Sequence, residues 1–369
     1  MISKTTIEKL AEFGQSAWLD NINRSMLETG ELKKLIDMGL RGMTSNPAIF
    51  DKSIRLTDEY NEKIEKLYRQ GKTVFEIYDD LTVEDVRDAA DIFRSVYDAT
   101  GGLDGYVSLE VSPKLAFDAE ATIKDARRLV KKVDRRNVMF KIPATDAGYK
   151  AIEELIAGGI NINATLIFSL EQYSKTAEAY IRGLKKLLQN GGDIKKVRSV
   201  ASVFVSRIDT VVDKMISDDK PLQSLKGKAA VANSGLIFGK YLEIFSGEEF
   251  KILKEKGANL QRVLWASTST KNPDYSDIKY VAELIGRNTV NTLPDNTLKA
   301  FLDHGEVRDS MGILDVSESE RVLSSLKAVE IDINKVCSGL LDKGIEAFEN
   351  SFDTLLSSIN AKAKQLHQS

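Results

Sequence analysis

The sequence predicts a closed parallel (β/α)8 barrel over residues 16–315, followed by a helical extension over residues 316–369. Three observations carry this reading. Eight short segments rich in apolar and β-branched residues recur along the chain and run into polar residues or proline, the pattern of buried strands. Segments with helical periodicity separate them, and that alternation belongs to a parallel sheet closed on itself. No Pro/Gly/Ser-rich linker, low-complexity tract or repeat of roughly 20–50 residues interrupts the pattern, so residues 1–369 read as one domain with extra helices at both ends.

Thr5-Thr6-Ile7-Glu8 has the spacing of a capping box, in which two side chains satisfy free N–H groups at a helix start. Ser16-Ala17-Trp18-Leu19-Asp20 is the first strand and ends in a carboxylate. A helix is expected over 24–38. Gly39-Leu40-Arg41-Gly42-Met43 then leads into Thr44-Ser45-Asn46-Pro47, the end of the second strand. Residues 48–100 read as helical. Val83, Val86, Ala90, Phe93 and Tyr97 form one apolar face, and Gly101-Gly102 stops it. The third strand, 105–113, carries Glu110 near its end, and a helix over 118–133 packs through Ile123, Ala126, Val130 and Val133. The fourth strand is Val138-Met139-Phe140-Lys141-Ile142-Pro143, ended by a proline that has no N–H for a ladder. A helix over 147–157 leads to the fifth strand, 160–168. Ser169 and Gln172 fit a capping box for a helix to about 189, broken by Gly191-Gly192. The sixth strand is expected over 199–208, then a long helical region interrupted at Pro221 and reaching about 256. The seventh strand covers 262–268. A polar loop, a helix over 276–285 and the eighth strand, 288–294, complete the barrel. Beyond 316, Ser317 and Glu320 fit a capping box. Val322, Leu326, Val329, Ile333, Val336, Leu340, Ile345, Phe348, Phe352, Leu355 and Ile359 then mark a face expected to pack on the same chain.

Composition excludes several function classes. The chain is 42% hydrophobic and 29% charged, with net charge −3 and pI near 5.8, so no basic excess points to nucleic acid. No apolar run is long enough to cross a membrane, and Met1-Ile2-Ser3-Lys4-Thr5 leads into an amphipathic pattern rather than a secretory leader. A single cysteine, Cys337, suits a reducing cytoplasm. There are two histidines, His304 and His367, so no His-rich zinc site can be built, and a Ser/His or Cys/His nucleophile would need His304 as its base. Neither GxGxxG nor GxxxxGK[ST] occurs. The chemistry is expected to rest on Lys, Asp, Glu and hydroxyls.

Lys141 is the centre of that chemistry. An apolar strand around it disfavours the charged amine and lowers its pKa, and a neutral amine is a nucleophile; the plain alternative is a lysine that snorkels to solvent. Functional groups of α/β barrels sit at the C-terminal ends of strands. Here those ends carry Asp20, Thr44 with Asn46, Glu110, Lys141, Asn163 with Thr165, Ser202 with Arg207, the 267–271 loop, and Asn291. Each alone has an ordinary reading as a helix cap, a strand hydroxyl or a solvated charge. Together they suit a lysine imine on a polyhydroxylated, phosphorylated ketone: a carboxylate moves protons, amides and hydroxyls hold sugar hydroxyls, and Arg or Lys binds phosphate.

Trp18-Leu19-Asp20, Thr44-Ser45-Asn46-Pro47, Ser108-Leu109-Glu110-Val111, Phe140-Lys141-Ile142-Pro143-Ala144-Thr145, Ile162-Asn163-Ala164-Thr165-Leu166-Ile167-Phe168-Ser169 and Ser202-Val203-Phe204-Val205-Ser206-Arg207-Ile208-Asp209 closely resemble the transaldolase family, in its longer bacterial form, over most of residues 16–295. The resemblance implies that Lys141 forms a Schiff base with the C2 carbonyl of a ketose phosphate. Glu110 with Thr165 would hold a proton-shuttling water, and Asp20 would take the C4 hydroxyl proton. Thr44, Asn46 and Asn163 would hold hydroxyls and the enamine, and Ser202 and Arg207 would contact substrate oxygens and phosphate, beside Phe204. The imine is itself the electron sink, so no metal or organic cofactor is implied. The implied partners are sugar phosphates, with the chain a monomer or homodimer. Shorter members carry a second phosphate-binding arginine after the seventh strand; here Lys271 is the candidate, a point charge rather than a fork. Val203 and Ser206 stand where the family has Pro and Gly.

Three other readings compete. An aldolase of the same superfamily releases free dihydroxyacetone, but such relatives carry Gln and Tyr where Glu110 and Phe204 stand. A sugar-phosphate isomerase would use Glu110 as base and Lys141 only electrostatically. A non-catalytic sugar-phosphate-binding barrel leaves the strand-end cluster unexplained.

Overall fold

The computed structural model describes residues 4–216 and 220–368. Residues 1–3, on which the reading of the N-terminus partly rests, and 217–219, within the interrupted helical region, lie outside the described residues. Eight parallel strands close into a barrel in sequence order: β1 (Gln15–Asp20), β2 (Gly42–Thr44), β3 (Tyr106–Glu110), β4 (Val138–Pro143), β5 (Ile162–Ile167), β6 (Ser199–Phe204), β7 (Gln261–Ala266) and β8 (Thr289–Leu293), with β8 paired back onto β1. The strands are buried almost throughout, as a barrel covered by helices outside and filled by side chains inside requires.

Local chemistry accounts for most boundaries. Thr5 with Glu8 and Ser169 with Gln172 form capping boxes, and Gly101 and Gly102 end the 48–100 region with φ of 60° and 75°. The structure differs from expectation at several places. β3 stops at Glu110, and Pro113–Leu115 forms a separate turn rather than the strand's end. Pro221 lies within the short helix Lys220–Gln223, and among the described residues the helical region after β6 breaks instead after Met215, at 224–228 and at Gly247. Gly30, at φ 77°, divides the helix expected over 24–38 into Arg24–Glu28 and Glu31–Asp37. β6 stops at Phe204, and Ser206–Met215 is a helix whose buried face includes Ile208 and Val212. The helix expected over 276–285 contracts to Lys279–Ala282. Asp315, rather than Ser317, caps the helix Val316–Ala328 by accepting from the Ser317 N–H.

The two ends of the barrel are built differently. At the N-terminal end Arg262 and Asp104 form a buried ion pair at 3.0 Å, and the Arg262 Nη atoms also donate to Leu103 O, Ser16 Oγ and Thr289 O. Across the C-terminal end lies the helix Ile333–Gln368, whose 36 residues span about 54 Å at 1.5 Å per residue. Cys337 Sγ contacts Phe168 O at 3.3 Å, Phe352 packs edge-on against Tyr78 at 5.1 Å, Ser358 Oγ donates to Asp51, and Lys362 Nζ donates to Ile54 O. The expected apolar face is thus spent on this chain, across helices Pro47–Leu56, Asn61–Arg69 and Val74–Ile92. Among the described residues no helix is long and apolar enough to cross a membrane.

The helix Asp146–Ala157 follows the lysine strand closely enough that Gly148 has no room for a side chain: a Cβ there would lie 1.9 Å from Pro143 O. Gly148→Ala must displace backbone two residues from Lys141. Overpacking of this kind destabilises by about 1–3 kcal/mol, so the thermal midpoint should fall by several degrees; an unchanged melting curve would contradict the close approach.

Candidate active site

Strand register assembles the site. Glu110 pairs with Lys141 across β3–β4, Lys141 with Asn163 across β4–β5, and Asp20 with Thr44 across β1–β2. Register partners on parallel strands face the same side, so Glu110, Lys141 and Asn163 form one inward row. Lys141 is 6% exposed and Glu110 7%. The Lys141 Nζ lies 3.2 Å from Glu110 Oε1 and donates to Ser45 O at 3.1 Å, and the Phe348 ring of the C-terminal helix stands 5.5 Å away. The surroundings of the lysine are therefore not wholly apolar, as the strand sequence alone suggested. Burial raises the Glu110 pKa above the usual carboxylate range, Lys141 opposes the rise, and Asp20 adds to it.

A cavity of about 250 Å³ opens above this row. Its wall includes Asp20, Thr44, Asn46, Lys141, Thr165, Ser202, Phe204, Arg207 and Lys271. Burial raises the Asp20 pKa, while Lys141 and the Thr44 hydroxyl, which donates to Asp20 Oδ1 at 2.8 Å, act against it. Asn46 caps the helix Pro47–Leu56 through Oδ1 and also reaches the cavity, so its plain and functional readings coexist. The Arg207 guanidinium stacks over Phe204 at 5.2 Å. Burial lowers its pKa and Asp20 opposes this; arginine stays cationic regardless. Among the described residues neither Arg207 nor Lys271 has a carboxylate within ion-pair distance.

Two strand-end residues lie off the cavity wall. Asn163 is fully buried beneath the cavity: its Nδ2 donates to Ser108 Oγ at 3.0 Å and its Oδ1 accepts from Ser202 Oγ at 2.6 Å. Asn291 binds Thr268 Oγ1 at 2.9 Å, and the alternation of side chains along β8 gives the cavity Thr292 instead. Glu110 stands behind Lys141, off the main cavity wall. His304 is exposed, between Asp277 and Asp303, away from the cavity. Burial pushes the Cys337 thiol up to about 12. The sequence reading missed Ala347, Phe348 and Ser351, which the C-terminal helix adds to the wall, and Thr292, whose hydroxyl lies 2.8 Å from that of Thr44. The apolar periodicity that includes Phe348 gave no sign of where the helix would dock. Among the described residues no group of three or more His, Cys, Asp or Glu side chains is placed to hold a metal ion.

Residues 17–359 match the family Transaldolase/Fructose-6-phosphate aldolase. The chain belongs to that family. It is 46% identical to "Transaldolase 2" of Nostoc sp. over 97% of each chain. It is also 45% identical to "Transaldolase" of Trichodesmium erythraeum over 99% of each chain. With "Transaldolase" of Saccharopolyspora erythraea it shares 44% identity over 99% of this chain and 100% of that one. Membership makes the protein an enzyme that transfers aldehyde or ketone groups.

Thr44→Val removes a donor that favours ionised Asp20 while keeping side-chain shape. Asp20 is already raised by burial, so losing this bond raises it further, and the carboxylate forms only at higher pH. The acid limb of the kcat/KM profile should move to higher pH. A limb that stays in place would show that Asp20 does not set it.

Proposed function

We propose that the protein is a transaldolase of the non-oxidative pentose phosphate pathway. In this reading it works in the cytoplasm and moves a dihydroxyacetone unit from sedoheptulose 7-phosphate to glyceraldehyde 3-phosphate, giving erythrose 4-phosphate and fructose 6-phosphate. The observation that carries the reading is the buried Lys141 amine on the wall of a cavity, with Glu110 at 3.2 Å behind it and Arg207 and Lys271 on the same wall.

The steps follow from that arrangement. Glu110, made a stronger base by burial, takes a proton from Lys141, and the freed amine adds to the C2 carbonyl. The carbonyl oxygen gains two protons, the one Glu110 took from Lys141 and a second that the nitrogen gives up after adding, and leaves as water, giving the iminium. Glu110 Oε2 and Thr165 Oγ1 are both buried without a protein partner among the described residues, so both are free to hold one shuttling water. Asp20 takes the C4 hydroxyl proton, the C3–C4 bond breaks, and its electron pair passes into the iminium to form an enamine. The aldehyde departs. The enamine carbon then attacks the aldehyde carbon of the second aldose phosphate, Asp20 returns the proton to the new hydroxyl, and water releases Lys141. Asn46, Thr44 and Ser202 hold substrate hydroxyls. Asn163 fixes Ser202 through its hydrogen bond. Arg207 and Lys271 hold phosphate. The chain acts as a single domain in this scheme, because the C-terminal helix contributes to the cavity wall.

Glu110 and Phe204 favour transfer over release of free dihydroxyacetone, as the resemblance implies. An isomerase needs its base against the substrate carbon, and Glu110 stands behind Lys141 instead.

Fructose 6-phosphate followed by borohydride should leave a reduced three-carbon adduct on Lys141, read by peptide mass spectrometry, and Lys141→Ala should lose both adduct and turnover while remaining folded. Turnover retained without the lysine would end the imine mechanism. Glu110→Gln should slow imine formation by about 10²–10⁴-fold, the usual contribution of a positioned acid–base, and tilt the products toward free cleavage. Unchanged pre-steady-state rates would remove Glu110 from that role.

A further inference from the structure

Behind Lys141 a second, much smaller cavity of about 20 Å³ lies between β3, β4, β5 and the C-terminal helix. Its polar wall is Glu110 and Thr165; Pro143, Leu166, Ile345 and Phe348 are among its apolar lining. A site of about 10–15 Å³ holds one water, so this chamber has room for one. The two polar atoms that lack partners, Glu110 Oε2 and Thr165 Oγ1, belong to the residues that line it. Phe348 also lines the substrate cavity and stands 5.5 Å from Lys141 Nζ. Two side chains thus border both spaces: Thr165 on β5, and the Phe348 ring, carried on a helix that begins at Ile333 and is pinned at Cys337, Ser358 and Lys362.

We propose that Phe348 is a positioning and specificity-determining residue: it walls a one-water chamber off from the substrate cavity and thereby sets the balance between transfer and release. The inference rests on the imine reading. Two fates compete once the enamine has formed. In transfer, its carbon forms a bond to the incoming aldehyde carbon and the aldehyde oxygen takes a proton. In release, the same carbon takes a proton instead, water adds to C2 of the resulting iminium, and the carbinolamine expels the Lys141 amine and free dihydroxyacetone. Release needs a proton donor and water beside the enamine; transfer needs their exclusion until the aldehyde arrives. A chamber that keeps its water against Glu110 and Thr165, behind an aromatic wall, serves imine formation without supplying bulk water to the carbanion face.

The test compares full-length Phe348→Ala, Phe348→Leu and Phe352→Ala with the unaltered enzyme. Fructose 6-phosphate is donor and erythrose 4-phosphate acceptor. The readouts are the ratio of free dihydroxyacetone to transferred product, the borohydride adduct on Lys141, and the melting midpoint. Removing one group from an apolar wall shifts discrimination by about tenfold or more. Phe348→Ala should raise the release ratio by that order while keeping the adduct, and Phe348→Leu should restore most of the partition. Phe352 lies one turn on and packs against Tyr78 away from both cavities. Phe352→Ala should lower the melting midpoint and leave the ratio alone. An unchanged ratio in Phe348→Ala with the adduct present overturns the proposal, and so does an equal shift in Phe352→Ala, which would make the effect general loosening of the helix. Absence of the adduct from the unaltered enzyme would overturn the imine reading, and the proposal with it.

Discussion

The structure depends on one unfavourable arrangement made tolerable: a lysine and a glutamate, both almost fully buried, 3.2 Å apart at the end of two barrel strands. Taking two charges out of water costs several kcal/mol each, and their attraction offsets that only where geometry is good and the remaining donors find partners. β3 and β4 supply the geometry by register, and Ser45 supplies a carbonyl from the end of β2. Each charge of the pair offsets part of the other's burial cost, which is why the site is a pair rather than a lone amine. Perturbed carboxylates gather around it for the same reason. Asp20 and Glu110 are both raised by burial, and each is affected by Lys141. Such clusters are where functional groups of enzymes are found.

The opposite end of the barrel has the same chemical ingredients without the same potential. Arg262 and Asp104 are as buried as the lysine pair, yet both terminal nitrogens of the arginine are occupied by protein acceptors. An ion pair so enclosed by backbone and hydroxyl acceptors fixes strands, although the Arg262 Nε is left without a partner among the described residues. At the C-terminal end Glu110 Oε2 and Thr165 Oγ1 keep capacity unspent, and Lys141 faces a cavity. The difference between a structural and a reactive pair here is therefore access to a cavity shared with Asp20, Arg207 and Lys271, not burial, charge or an unspent donor, since Arg262 Nε is also without a partner among the described residues.

Much of this was legible in the sequence, and the limit falls along a physical line. Signals within a few residues survived: the capping boxes at Thr5 and Ser169, the proline that ends the lysine strand, and the strand-end carboxylates. Signals that depend on what lies across space did not. Asn291 and Thr292 are adjacent and both polar, and only the inward or outward phase of β8 decides that Thr292 meets the cavity. Ser317 with Glu320 satisfies the same cap pattern as Ser169 with Gln172, but Asp315 captured the helix start two residues earlier. The run 205–208 is apolar enough for a strand, yet it follows β6 as the start of a helix and so turns Arg207 toward Phe204. The C-terminal helix announced its apolar face and not its destination, and the destination is what brings Phe348 to Lys141.

In the proposed reaction, Lys271 in the place of a fork-shaped cation fits this division of labour. Arg207 is half-buried, held over Phe204, and borne on a helix that starts directly behind β6. A guanidinium so constrained fixes both the position and the orientation of an oxyanion. Lys271 lies on the exposed loop after β7, where water and salt screen charge and where a flexible stem costs more to order. A rigid fork there would add little direction that Arg207 does not already impose. A point charge suffices at the outer end of an anion whose inner end is aligned, and in the proposed reaction it also lets the phosphate of a departing aldose leave without breaking two bidentate contacts.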